Sequence, residues 1–448
     1  MKCEFEYNLL RMQNDIFTTM PVHKAYFKAA MPVVMGMVIS LVYNLVDTWF
    51  IARTQDTSLV AGVSLCAPVF SLMIALGDIF GLGASTAISR FLGQKDYEKT
   101  ARMSSFAIYA AIGTGVVSAL ILLALRYPIL HLLGARDDTL SFAMQYYIWI
   151  AIGAPAIILN IVPNNLLRTE GFAGKAMVCT IIGSIINIIL DPIFIFTLHM
   201  GAAGAAIATV LSNIISDLLF FEAIRRHASY LSLDIHKAKA EKDLVREMLF
   251  IGIPASITNT MQSLAVLLTN RFLLPYGTDQ IAAFGIAAKV NMVSVLIMVG
   301  FAFGAQPLLG YSYGARDNKR LKEVIRFDIT VECVTAFLFL IISMIFAPQL
   351  IQMFIHQPDV VKAGENILRC MMATAPAIGI VLVCTTLFQA EGRAMPAFIL
   401  SISRQGVFLI LFLVLLSALF GYWGVLLAQA AADLATLLVG LGLLKKSA

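Results

Sequence analysis

The sequence predicts an all-α integral membrane protein of twelve transmembrane helices, arranged as two pseudo-symmetric six-helix lobes. Three observations predict it. Of 448 residues, 59% are apolar and 13% charged, where a soluble domain runs near a quarter charged. Apolar runs of the roughly 20 residues that a helical span needs recur along the whole chain. The second half of the chain repeats the first.

The charge deficit comes first. A soluble core this large needs a polar shell, and a mean hydropathy of +0.85 leaves too little polar surface to make one. The missing surface faces lipid. The apolar runs place spans at about 27–51, 60–89, 103–125, 140–161, 176–198, 202–223, 248–272, 281–310, 327–347, 367–389, 396–418 and 423–444. Residues 1–26 lack the basic start, apolar stretch and cleavage site of a signal peptide and read as a cytosolic tail.

Orientation follows from the basic residues. With the N-terminus inside, the inner segments carry 24 Lys and Arg and the outer segments six, while Lys289 and Arg404 lie within spans. This asymmetry places both termini in the cytoplasm. It also accounts for the net charge of +5, so no nucleic-acid partner is implied.

The repeat has an offset of about 221. FGLGASTAISRFLGQKD at 80–96 overlies FAFGAQPLLGYSYGARD at 301–317, bringing Gly83 onto Gly304, Gly93 onto Gly314 and Asp96 onto Asp317. Pro155 falls on Pro376, Glu170-Gly171 on Glu391-Gly392, Pro32 near Pro254, and Gly201/Gly204 near Gly421/Gly424. Each match is weak alone; their collinear order is strong. Six spans per copy give parallel repeats about an axis near the membrane normal. The expected division is a tail 1–26, an N-lobe 27–224, a cytosolic linker 225–246 and a C-lobe 247–448.

An ionisable group inside a span is costly and marks a functional candidate. Asp47 lies near the outer end of the first span and Asp191 in the outer half of the fifth, one turn after Asn187 on the same helix face. At 1.5 Å per residue, Asp47, Tyr146, Asp191 and Thr209 all sit within roughly 10 Å of the outer boundary. Carboxylates, an amide and hydroxyls at one depth suit a proton or an alkali cation. The second copy has no acid at the positions of Asp47 and Asp191: Thr269 and the region of Leu411 stand there. Asp433 aligns with Asn213 and is a candidate for the lining of a second-lobe cleft. Asp78, Asp217, Asp328 and Glu332, towards inner helix ends, read as solvated or locally hydrogen-bonded. Pro32, with Gly36 one turn on, is a candidate hinge in the helix that carries Asp47.

Other chemistry finds no support in the sequence. The six cysteines have no metal or redox spacing, and the six histidines lie in loops or tails without a metal motif. There is no phosphate-binding loop. The chain does not read as an enzyme, and the expectation is no cofactor other than a coupling ion.

These residues resemble the multidrug and toxic compound extrusion (MATE) family, and more closely its DinF-like branch. The resemblance covers almost the whole chain. It is carried by Pro32 with Asp47, GLGASTAISRFLGQ, LLRTEGFAGKAM, Asn187/Asp191, GAAGAAIAT and QAEGRAMP. It implies two six-helix lobes around a central cavity, and H⁺- or Na⁺-coupled antiport of cationic drugs and related compounds. Asp47, Tyr146, Asn187, Asp191 and Thr209 then match a first-lobe cation site, with Na⁺ a possible occupant at Asp47 and Asp191, and Asn164 matches a cavity position. The seventh and tenth spans hold no acid, unlike the family's other well-known branch. The expectation is a monomeric multi-pass protein of the cytoplasmic membrane that moves small organic cations by alternating access. The rival expectation is a flippase for lipid-linked oligosaccharides or lipids. Such a protein would line its cleft with Arg and Lys, whereas only Lys289 and Arg404 lie within spans here.

Overall fold

The computed structural model describes residues 15–445, apart from the side chains at positions 137, 258–260 and 263. The first 14 residues of the expected cytosolic tail, with Cys3, lie outside it. Every regular element among the described residues is helical. In chain order these are α1 (Val22–Ala52), α2 (Thr57–Leu65), α3 (Ala67–Gln94), α4 (Tyr97–Ala124), α5 (Arg126–Leu132), α6 (Asp137–Ile152), α7 (Ala154–Thr169), α8 (Ala173–Pro192), α9 (Gly201–His227), α10 (Lys242–Leu273), α11 (Thr278–Gly314), α12 (Asn318–Gln352), α13 (Pro358–Met372), α14 (Ala375–Ala390), α15 (Ala394–Ile402), α16 (Phe408–Phe420) and α17 (Tyr422–Lys445).

Among the described residues, nine helical segments are long and apolar enough to cross a membrane, and two bent pairs raise the number to eleven. The remaining expected span falls on α10. That helix has the length, at 32 residues. The two bent pairs are the same feature repeated. Asp138–Ile152 meets Ala154–Thr169 at 51°, and Pro358–Met372 meets Ala375–Ala390 at 44°. Pro155 and Pro376 sit in the first turn of the second member of each pair. A proline there has no N–H to carry the preceding helix onward.

The duplication shows in backbone detail as well. Asp96 caps α4 by accepting from the Lys99 N–H at 3.1 Å, and Asp317 caps α12 by accepting from the Arg320 N–H at 3.0 Å. The residue before each cap, Lys95 and Arg316, is left-handed at φ 61° and 57°. Gly171 and Gly392 have φ 82° and 78°, the region that favours glycine.

The described chain forms two compact units that do not follow the halves of the sequence. One comprises residues up to 20 together with 35–256, the other 21–34 together with 257–448. Each half therefore sends the first segment of its first helix into the unit of the other half. The switch comes two residues after Pro32 in α1 and two residues after Pro254 in α10. Glycines allow the close packing. A Cβ on Gly252 of α10 would lie 1.9 Å from the Ile79 carbonyl oxygen of α3, and one on Gly304 of α11 would lie 2.3 Å from the Ala30 Cα of α1.

The segment after α9 is held within the first unit. The Glu170 carboxylate accepts from the backbone N–H groups of Ser229, Tyr230 and Leu231 at 2.8, 2.8 and 2.7 Å. Ser105 and Tyr109 of α4 donate to the carbonyls of Ser232 and Leu233. Arg102 and Arg90 pair with Glu241 and Glu247. Burial pushes the Glu170 carboxyl above the usual carboxylate range, and the three N–H groups oppose that push.

Candidate functional site

The first unit brings Asp47 and Asp191 together. Asp47 is carried by α1 beyond Pro32, and Asp191 is the penultimate residue of α8. Their carboxyl groups are close enough to hydrogen-bond directly when one of them holds a proton. Asp191 is 0% exposed and Asn187, one turn earlier, is 1% exposed. Neither Asp191 oxygen, neither polar atom of the Asn187 amide, nor Oδ1 of Asp47 has a hydrogen-bond partner. Five buried polar atoms without partners in one place are exceptional, because each such atom costs about 1–3 kcal/mol.

Two tyrosines close on the acids. Tyr146 of α6 is buried and feels both carboxyl groups. Tyr43, one turn before Asp47 on α1, does so too. Sequence reading missed Tyr43; its spacing of four from Asp47 was the available signal. Thr209 of α9 is buried and donates to the Ala205 carbonyl of its own helix at 3.0 Å, which leaves its oxygen free to accept. Next to Asn187 lies a small polar cavity of about 80 Å³, lined by Tyr43, Asn160, Thr180, Ser212 and Asn213 among others.

Asn164 bonds to neighbours other than the acids. Arg168 donates to its Oδ1 at 2.9 Å, and its amide reaches the Thr180 hydroxyl at 3.5 Å. Asp217 is hydrogen-bonded by the Asn160 amide at 2.9 Å, a link between α7 and α9 with no signature in the sequence. Pro32 and Gly36 flank the switch between units, and a Cβ on Gly36 would meet nothing within 4 Å.

The second unit holds a different arrangement. A cavity of about 330 Å³ is lined by Gln262, Lys289, Arg404, Gln429 and Asp433 among others. Asp433 is 0% exposed, but its carboxylate is fully engaged. Arg404 Nε and Gln429 Nε2 donate to Oδ1 at 2.8 and 3.1 Å, and the Thr374 hydroxyl donates to Oδ2 at 3.0 Å. Arg404 lies in a π-helical turn, Ser403–Val407, a local widening that often marks functional positions. Both Asp191 oxygens and Asp47 Oδ1 lack a partner, whereas the acid of this cavity is neutralised.

Twelve helical spans in two pseudo-symmetric six-helix lobes, with buried acids inside the membrane, define a polytopic membrane transporter. The chain belongs to the MatE family, whose model matches residues 32–193 and 254–421. It is 33% identical over 427 residues to the multidrug export protein MepA of Staphylococcus aureus strain MSSA476, covering 94% of each chain. It is 31% identical over 427 residues to MepA of Staphylococcus saprophyticus, again covering 94% of each. Among solved structures it matches the outward-facing conformation of a multidrug resistance MATE family transporter with a TM-score of 0.89, at 26% identity and 95% coverage of both chains. The chain is accordingly a multidrug efflux transporter and not an enzyme.

Proposed function

We propose that the chain is an antiporter that exchanges H⁺ or Na⁺ for organic cations and related toxic compounds, exporting them across the cytoplasmic membrane by alternating access. In this reading both termini and the 225–246 linker are cytoplasmic, and the protein works as a monomer. Asp47 and Asp191 hold the coupling ion, with Asn187, Tyr146 and Thr209 around them. The observation that supports this is the set of five buried, unpartnered polar atoms on Asp47, Asn187 and Asp191. Such atoms await a proton or a small cation. Two carboxylates side by side cannot both stay ionised in a dry site without a counter-charge. A proton or Na⁺ supplies it from one side of the membrane, and a cationic substrate supplies it from the other.

The test is drug uptake into vesicles holding purified protein, driven by an imposed pH or Na⁺ gradient. Asp47→Asn and Asp191→Asn keep shape and remove charge. Gradient-driven accumulation is expected to disappear in both, while exchange of labelled for unlabelled drug without a gradient persists. Full gradient-driven accumulation in either variant would remove that residue from the coupling.

A further inference from the structure

A second pair of buried acids lies in the second unit, on α12. Asp328 and Glu332 are one helical turn apart, and each is 0% exposed. Neither oxygen of Glu332, nor Oδ2 of Asp328, has a hydrogen-bond partner. The remaining oxygen, Asp328 Oδ1, accepts from the Tyr26 hydroxyl at 2.7 Å. Tyr26 comes from the first segment of α1 and is itself 0% exposed. Its ring stacks on Phe301 at 6.4 Å and meets Phe327 edge-on at 5.1 Å.

The surroundings contain no counter-charge. α1 presents Tyr26. α11 presents Ala302, whose backbone lies near Glu332, and the Met298 methyl group; α14 presents Gly379, which sits against the Glu332 Cβ. α13 packs on α12 further along, where Arg369 is taken by Glu365 and by the Met344 carbonyl. Cys333 follows Glu332 on α12 itself. Among the described residues no Lys, Arg or His forms an ion pair with either acid.

We propose that Asp328 and Glu332 form a second proton-binding site, in the second lobe, closed on one side by Tyr26. Two adjacent carboxylates without a cation would pay desolvation of several kcal/mol each and repel one another besides. The pair therefore keeps at least one O–H. An alkali or divalent cation is a poor alternative. Such an ion wants about six oxygen ligands, and here phenyl rings, a methionine methyl and a glycine surround three free oxygens. Releasing the proton breaks one O–H bond, leaves a carboxylate and passes H⁺ to water, which reaches the pair once the Tyr26 side opens.

The site is arranged like the first one. Both are carboxyl pairs with buried, unpartnered oxygens, and α1 serves both: Tyr26 before Pro32 in one unit, Asp47 after it in the other. One helix thus carries a member of each site.

The experiment uses the full chain in lipid and records pH-induced infrared difference spectra of protonated carboxyl groups. The background is Asp47→Asn/Asp191→Asn, so the outcome does not depend on the coupling role proposed for those residues. A carboxyl band that comes and goes with pH is expected to remain in that background and to vanish when Glu332→Gln is added. Tyr26→Phe is expected to shift the pH at which the band changes, which loss of packing alone would not do. A band unchanged by Glu332→Gln in folded protein overturns the site. Should that variant fail to fold, Asp328→Asn is read in the same way.

Discussion

Arg404 donates from Nε to Oδ1 of Asp433 across 2.8 Å, so the acid lining the second-lobe cavity already has its counter-charge. Among the described residues Asp47 and Asp191 form no ion pair, and both Asp191 oxygens and Asp47 Oδ1 lack a partner. Removing the Asp433 charge should act on folding, because it strands a largely buried guanidinium, 15% exposed. Asp433→Asn is expected to lower stability by about 3 kcal/mol, the low end for a broken buried pair. Arg404→Gln/Asp433→Asn should recover part of that loss. Gradient-driven export per folded molecule should persist. Thermal unfolding and vesicle uptake, measured side by side, check this. Lost coupling at unchanged stability would give Asp433 a coupling role instead.

If a proton and a cationic substrate compete for the Asp47/Asp191 pair, each must weaken the binding of the other by the same factor. Affinity for a fluorescent organic cation is therefore expected to fall as pH is lowered from about 8 to 6, with titration belonging to the pair rather than to one residue. Asp47→Asn should flatten the dependence while leaving binding. Fluorescence titration of the purified protein measures it. A pH profile in Asp47→Asn that matches the unsubstituted protein would show that the competition lies elsewhere.

The parts of this molecule legible in the sequence are those set by local pattern. The twelve spans follow from apolar runs, because lipid imposes the same length on every one. The twin bends at Pro155 and Pro376 were visible as a repeated proline. The nearness of Asp47 to Asp191 was legible only as equal depth, since helix rise fixes height but not azimuth. What stayed hidden depends on long-range packing. Tyr26 and Asp328 are 302 residues apart, and no periodicity pairs them. Asp328 and Glu332 read as solvated or locally hydrogen-bonded residues because they lie near an inner boundary. The structure buries them, because α1 covers that end of α12 within the second unit. The exchange of first-helix segments was invisible for the same reason: proline marks where a helix can bend, not what it packs against.

Gly36 offers a test of the joint that follows Pro32. A methyl group there meets nothing within 4 Å, so Gly36→Ala costs no space and should stabilise the helix by about 1 kcal/mol. Transport rate is expected to fall as stability rises, because the same freedom serves bending. Gly252→Ala is the contrasting case. Its Cβ would lie 1.9 Å from the Ile79 carbonyl oxygen, and the yield of folded protein should drop sharply. Unfolding temperature and initial uptake rate are the readouts. Gly36→Ala transporting at full rate would remove Gly36 from the proposed hinge.

The orientation of the chain can be read at Lys237. It lies exposed in the short turn Ile235–Lys237 of the linker. The linker is tied to the first unit through Glu170 and Arg102. It also carries six of the 24 inner basic residues, so it weighs heavily in the positive-inside assignment. A single cysteine at Lys237, in a chain whose own cysteines are replaced, should resist a membrane-impermeant thiol reagent added to intact cells and react after the membrane is opened. The replacement is feasible: among the described residues all five cysteines are free, so no disulfide is lost. A cysteine in the outer segment near Arg136 should give the opposite pattern. Equal labelling of the Lys237 cysteine before and after opening would invert the topology, and the acid pair at Asp47 and Asp191 would then lie towards the cytoplasm.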